Sequence, residues 1–205
     1  MAGGDVGNGE AESRAAWPVV SPVNLYSYLV TRQTGRAVRL GIQGRLAELN
    51  GRVLAVVDFR EVQLIDFSCA DEVVAKLVRQ AGRSARPRAF FLLRGLAEHH
   101  VDPVQSALRR QELAVAAERD DGRPLLLGSV SRSPARAWRE VCRLGRAGAE
   151  RIAECMHEPA SAVHPWLERL HRRRLLLRNG PEYVSLRQAL SEVRGTGGVE
   201  PGGCN

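Results

Sequence analysis

The chain has 205 residues, 44% of them hydrophobic, enough for one large or two small domains with a real core. Its formal net charge of +7 is uneven: residues 131–205 carry 13 Arg against 8 Glu, and Lys76 is the single lysine of the chain. That balance points toward a polyanion, either nucleic acid or an anionic membrane surface, without choosing between them; the lack of any apolar run of about 18 residues excludes a membrane-spanning helix, and a partner other than membrane is expected.

Residues 1–20 are rich in Gly and small side chains and are expected to be disordered, as is a tail over 195–205. Met1-Ala-Gly-Gly-Asp-Val-Gly-Asn-Gly-Glu10 has neither the basic nor the apolar region of a secretory signal, so a cytoplasmic protein is expected. Cys69, Cys142, Cys155 and Cys204 form no C-x-x-C pair, which suits reduced thiols.

From residue 21 to 130 strand and helix patterns alternate. Leu25–Val30 has strand character. Val38, Ile42, Leu46 and Leu49 recur at helical spacing over 36–49, and Asn50-Gly51 closes that helix. Val53-Leu-Ala-Val-Val-Asp-Phe59 is the short apolar run of a strand covered on both faces. Ser68, with Asp71 three residues on, reads as a capping box opening a helix whose inner face is Val73, Val74, Leu77, Val78 and Ala81. Ala89–Leu93 is another buried strand, Asp102-Pro103 the expected start of a helix, and Asp121-Gly122 a hairpin turn between 113–118 and 124–127. Four or five strands interleaved with three helices predict an α/β domain over 21–130, helices against the sheet.

Ser131–Pro134 serves as linker and helix cap. Beyond it, over 131–194, the order is helix, turn, basic helix, hairpin. Ile152 and Met156 give the inner face of one helix, Val163, Trp166, Leu167 and Leu170 that of the next, and Arg178-Asn-Gly-Pro-Glu-Tyr183 makes the hairpin tip with Asn179-Gly180 as the turn. Pro165 requires a cap close by, at Ala160 or Ser161.

Two resemblances follow from these residues. Val57-Asp-Phe-Arg-Glu-Val-Gln-Leu-Ile-Asp-Phe-Ser-Cys-Ala-Asp-Glu72, with Thr34-Gly35-Arg36 before it, resembles the STAS family of anti-sigma factor antagonists, in particular a branch with an S-F-A-D-E type signature. The resemblance spans roughly residues 24–128 and implies a STAS-like mixed sheet with helices and a non-enzymatic, partner-binding domain. It implies Ser68 as a phosphorylation candidate, a serine kinase or anti-sigma-type protein as partner, and Asp58, Asp66 and Asp71 as partner-binding residues. Where phosphorylated members have D-S-S-G, this chain has Asp66-Phe67-Ser68-Cys69. A phosphate there would meet the charges of Asp66, Asp71 and Glu72, whereas an unmodified Ser68 is a helix cap.

Ala153, Ser161, Val163, Leu167, Leu170, Leu175 and Leu176 are similar to the pattern of winged helix-turn-helix regulators, whose second helix enters the DNA major groove. That resemblance implies DNA as partner, with Arg169, Arg172, Arg173, Arg174 and Arg178 on phosphates and Ser161 and His164 near base edges, in a homodimer reading two half-sites. Such modules also dock proteins, so an anti-sigma-antagonist-like adaptor without DNA binding is the alternative.

The chemistry of an enzyme is missing from the pattern: no P-loop, no G-x-S-x-G, and Asp120-Asp121 belongs to a turn, so neither catalytic residues nor a cofactor are expected. Cys155, His157, His164 and His171 fit no closed zinc spacing, and His99-His100 reads as a solvated loop pair. The expectation is therefore a cytoplasmic transcription regulator in which a STAS-like domain controls a small winged-helix domain.

Overall fold

The computed structural model describes residues 19–83 and 88–196. Its centre is a five-stranded sheet whose strands neighbour one another in the order they occur in the chain. β1 (Val19–Asn24), β3 (Arg52–Asp58), β5 (Arg88–Leu96) and β6 (Ala114–Arg119) run parallel, and β7 (Pro124–Gly128) returns antiparallel through the Asp121-Gly122 turn. The fold is thus mixed α/β on a mixed sheet. A separate short parallel pair joins β2 (Tyr28–Leu29) to β4 (Leu64–Ile65).

The expected strand over 25–30 shrinks to those two residues of β2, and the sheet strand lies upstream, beginning inside the segment expected to be disordered. Pro22 does not prevent this, because β1 is an edge strand with one neighbour, and an edge leaves one side of the backbone unpaired. The remainder of that segment, 1–18, lies outside the described residues, as do 197–205 with Cys204.

Strand residues alternate between two apolar clusters. Val53, Ala55, Val57, Phe91, Leu93, Val115 and Ala117 face α1 (Arg32–Ala47), α2 (Phe67–Ala70), α3 (Lys76–Arg83) and α4 (Glu98–Arg110). Leu54, Val56, Phe90, Leu92, Ala114 and Ala116 belong to a second cluster together with Trp138, Ile152, Leu167, Leu176 and Leu190. These last come from α5 (Arg132–Leu144), α6 (Ala149–Met156), α7 (Ala160–Arg172), β9 (Leu176–Asn179) and α8 (Leu186–Thr196). The expected division near residue 130 therefore runs through a shared core: the C-terminal segment is the second cover of the sheet.

Within that segment β8 (Arg146–Ala147) and β9 flank β10 (Glu182–Ser185). Asn179 pairs with Glu182, so the turn residues are Gly180 and Pro181, one place later than expected, and Gly180 at φ 59° fills the first central position that mirror-type hairpin turns reserve for glycine. Helix α8 runs to Thr196, past the expected tail boundary at 195.

Both interior prolines sit at the sixth residue of their helix. α4 starts at Glu98 behind the extended Ala97, five residues before Pro103, and α7 starts at Ala160 behind Pro159, five before Pro165. Each proline removes an amide bond to a carbonyl four residues back, that of His99 or Ser161. Both of these residues are exposed. Burial of Val104, Ala107 and Leu108, and of Val163, Leu167 and Leu170, holds the helices through the defect, which is why the expected cap at Asp102 is not one.

Candidate functional site

At the start of α2 the capping residue is Asp66, not Ser68. Its carboxylate accepts the Cys69 amide at 2.7 Å, and the half-buried Ser68 hydroxyl donates to the same carboxylate at 2.9 Å. A carboxylate outcompetes a hydroxyl for a free helix amide because it carries charge. The Cys69 thiol is buried and donates to the Thr31 carbonyl; burial, then the charge of Asp66, pushes it above the usual thiol range.

A π turn over Asp71–Ala75 follows, and it rotates Asp71 and Glu72 into the interior, 8% and 3% exposed. Neither therefore closes a capping box. Glu72 meets Lys76, Arg32 at 3.2 Å and Arg39 at 3.4 Å; Asp71 meets Gln111, Arg32 at 3.6 Å and Lys76 at 3.8 Å. Burial alone would raise the Glu72 carboxyl, yet Lys76 and Arg39 together hold it below the ordinary range. Asp58 is likewise held down, chiefly by its hydrogen bonds from Arg60. Of the three expected partner-binding aspartates, Asp58 is thus clasped by Arg60, Asp66 by its own helix, and Asp71 lies inside an ion cluster.

Exposed apolar side chains gather on the short pair beside this helix start: Tyr28 opposite Leu64, with Tyr26 and Val30 two residues to either side of Tyr28 in the chain. Sequence reasoning passed over them, although Tyr26-Ser27-Tyr28 has the period of two that a strand would present to one side.

Along α7, Ser161, His164, Arg169 and Arg172 are exposed, and an open groove of about 570 Å³ runs past His164, Arg169, Arg172 and Arg178. Among the described residues no carboxylate pairs with Arg169 or Arg172. Three of the expected phosphate contacts are engaged by the protein instead, Arg173 and Arg174 turned inward and Arg178 paired at the surface. Arg173 donates to the Glu112 carbonyl, in the turn before β6, at 3.2 Å, and Arg174 to the Ala89 carbonyl of β5 at 3.1 Å. Arg178 is bound by Glu168 at 2.9 Å, and Glu168 also accepts from Tyr183 at 2.6 Å. The cause is position: α7 ends at Arg172, and the chain turns there toward the sheet with Arg174 at φ 61°.

His100 departs from the solvated pair expected of it. It is 1% exposed, its Nδ1 accepts the Ala97 amide at 3.1 Å, and its Nε2 is buried without a partner. Among the described residues no three His, Cys, Asp or Glu side chains gather as a metal site would require, and no helix is long and apolar enough to cross a membrane. No protein-family model matches the chain, and no curated protein does.

Proposed function

We propose that this chain is a DNA-binding transcription regulator, in which a STAS-like α/β part receives a protein partner and a winged helix-turn-helix formed by α6, α7 and the β9–β10 hairpin lies against duplex DNA. The observation that carries the reading is the exposed band Ser161, His164, Arg169 and Arg172 on one helix beside a hairpin, its two arginines unmatched by carboxylates among the described residues. With Arg173, Arg174 and Arg178 engaged elsewhere, the phosphate contacts reduce to Arg169 and Arg172, with Ser161 and His164 toward base edges. So few contacts give non-specific binding at about 10⁻⁴ to 10⁻⁶ M, so a homodimer on two half-sites is part of the proposal. The exposed Tyr26, Tyr28 and Leu64, close to Ser68, are the surface offered to a protein such as a serine kinase or anti-sigma-type factor. Phosphorylation of Ser68 would replace its donated hydrogen bond by about −1.5 to −2 charge against Asp66, loosening the start of α2.

Titrating labelled duplex over a salt series tests this. The double variant Arg169→Ala/Arg172→Ala should reduce the log–log salt slope by about 2, whereas Arg178→Ala should leave it near the parent value. An unchanged slope in the double variant removes the DNA reading. The second reading, a protein adaptor that touches no nucleic acid, is favoured by the inward turn of Arg173 and Arg174 and by the tyrosine surface; it predicts no duplex retention at low salt.

A further inference from the structure

Where α7 ends, a cavity of about 210 Å³ opens between the C-terminal segment and the ends of β5 and β6. Ala81, Ala89, Phe91 and Val115 wall it, and Arg172 and Arg173 stand at its rim. We infer that this cavity is a binding site for a small organic anion, an apolar body ended by a carboxylate or phosphate.

Charge is the first reason. Arg173 is half-buried, donates to a neutral carbonyl, and has no carboxylate partner among the described residues; Glu112 lines the same cavity but reaches Arg173 only through its main-chain oxygen. A guanidinium withdrawn from water is costly unless an anion meets it. Burial, then the repulsion of Arg169, lowers its pKa, in keeping with a cation lacking its complement.

Backbone strain is the second. Among the described residues three that are not glycine take positive φ, and two of them, Glu112 at 55° and Arg174 at 61°, line this cavity. Each follows the cap of its helix, α4 or α7, a place where glycine is the unstrained choice. Holding a charged residue there costs free energy, and such strain concentrates where a ligand is clamped. The walls decide the rest: Ala89, Phe91 and Val115 are buried carbon surface, useless to a hydrated phosphodiester and suited to the apolar end of a small molecule. This inference does not depend on whether α7 binds DNA.

Fluorine NMR of trifluoromethylbenzoate with the full-length protein tests it, trifluoromethylbenzyl alcohol being the neutral control. The benzoate resonance should broaden in a saturable way at millimolar probe, the alcohol should not, and inorganic phosphate should fail to displace the benzoate. Arg173→Ala should weaken binding about tenfold or more, the loss of one charge-assisted contact. Ala81→Phe, which fills the cavity from α3 and leaves every arginine in place, should abolish binding without lowering the thermal midpoint much. The inference is overturned if the alcohol binds as the acid does, if inorganic phosphate competes, if either variant binds like the parent, or if the benzoate shows no saturable broadening.

Discussion

His100 shows how one side chain ties burial to pH. Its ring lies against Phe59 and His99 and accepts the Ala97 amide that α4 leaves free at its start. Burial first, then the neighbouring His99, holds the folded imidazole below the 6.5 of a free one. The unfolded chain therefore binds a proton that the folded chain refuses. Stability is full above about pH 6.5 and declines as pH falls through that value, because protonation then favours the unfolded state. Urea midpoints at pH 7 and pH 5 should show the decline. His100→Gln, which keeps an acceptor at the third helical position, should flatten it. If the variant and parent fall equally, His100 is not the group responsible.

At the scale of elements, α1 and the helical stretch over 67–75 meet at a glycine. A Cβ on Gly35 would stand 2.9 Å from that of Glu72 and 3.1 Å from the Cys69 Cα, so the helices touch backbone to backbone and bring Arg32 and Arg39 within reach of Glu72. Gly35→Ala must push them apart. A loss of about 1–3 kcal/mol is expected, the usual cost of overfilling a packed contact. Gly41, on the same helix, has open space around it, and Gly41→Ala should instead gain roughly 0.5–1 kcal/mol by restricting the unfolded chain. Thermal melts of the two variants should move in opposite directions; a neutral Gly35→Ala would mean that the contact is looser than its geometry.

For the whole molecule the decisive relation is the second face of the sheet. Leu54, Val56, Phe90 and Leu92 are buried under the C-terminal segment, and full burial of each such side chain is worth roughly 1.5–3 kcal/mol. Four together are comparable with the whole net stability of a domain, roughly 5–15 kcal/mol. Polar links cross the same seam: Arg52 reaches the Arg178 carbonyl at 3.1 Å, and Arg187 the Gly122 carbonyl at 2.7 Å and Glu118 at 3.3 Å. A chain ending at residue 130 should therefore aggregate or bind anilinonaphthalene sulfonate strongly, and the full chain should unfold in one transition. A monomeric, cooperatively melting 1–130 fragment would show that the α/β part stands alone.

Much of the element order is legible in the residues themselves, because helix and strand periods are local. Val53–Phe59 reads as a strand covered on both faces, and the strand runs Arg52–Asp58; Asp121-Gly122 reads as a turn, and the 149–185 stretch as helix, helix and hairpin, and these elements are present. Less legible were the helix starts: Asp66 in place of Ser68, and Glu98 in place of Asp102, since a capping residue is chosen by competition among neighbours and by which face becomes buried. The pattern of apolar residues determined that the sheet needs cover on two sides. Only the tertiary structure decided that the segment after residue 131 supplies one of them, that His100 lies inside, and that Arg173 and Arg174 turn to the seam while Arg169 and Arg172 stay in water. A residue's own chemistry states what it can bind, but what lies opposite it depends on residues far away in the chain.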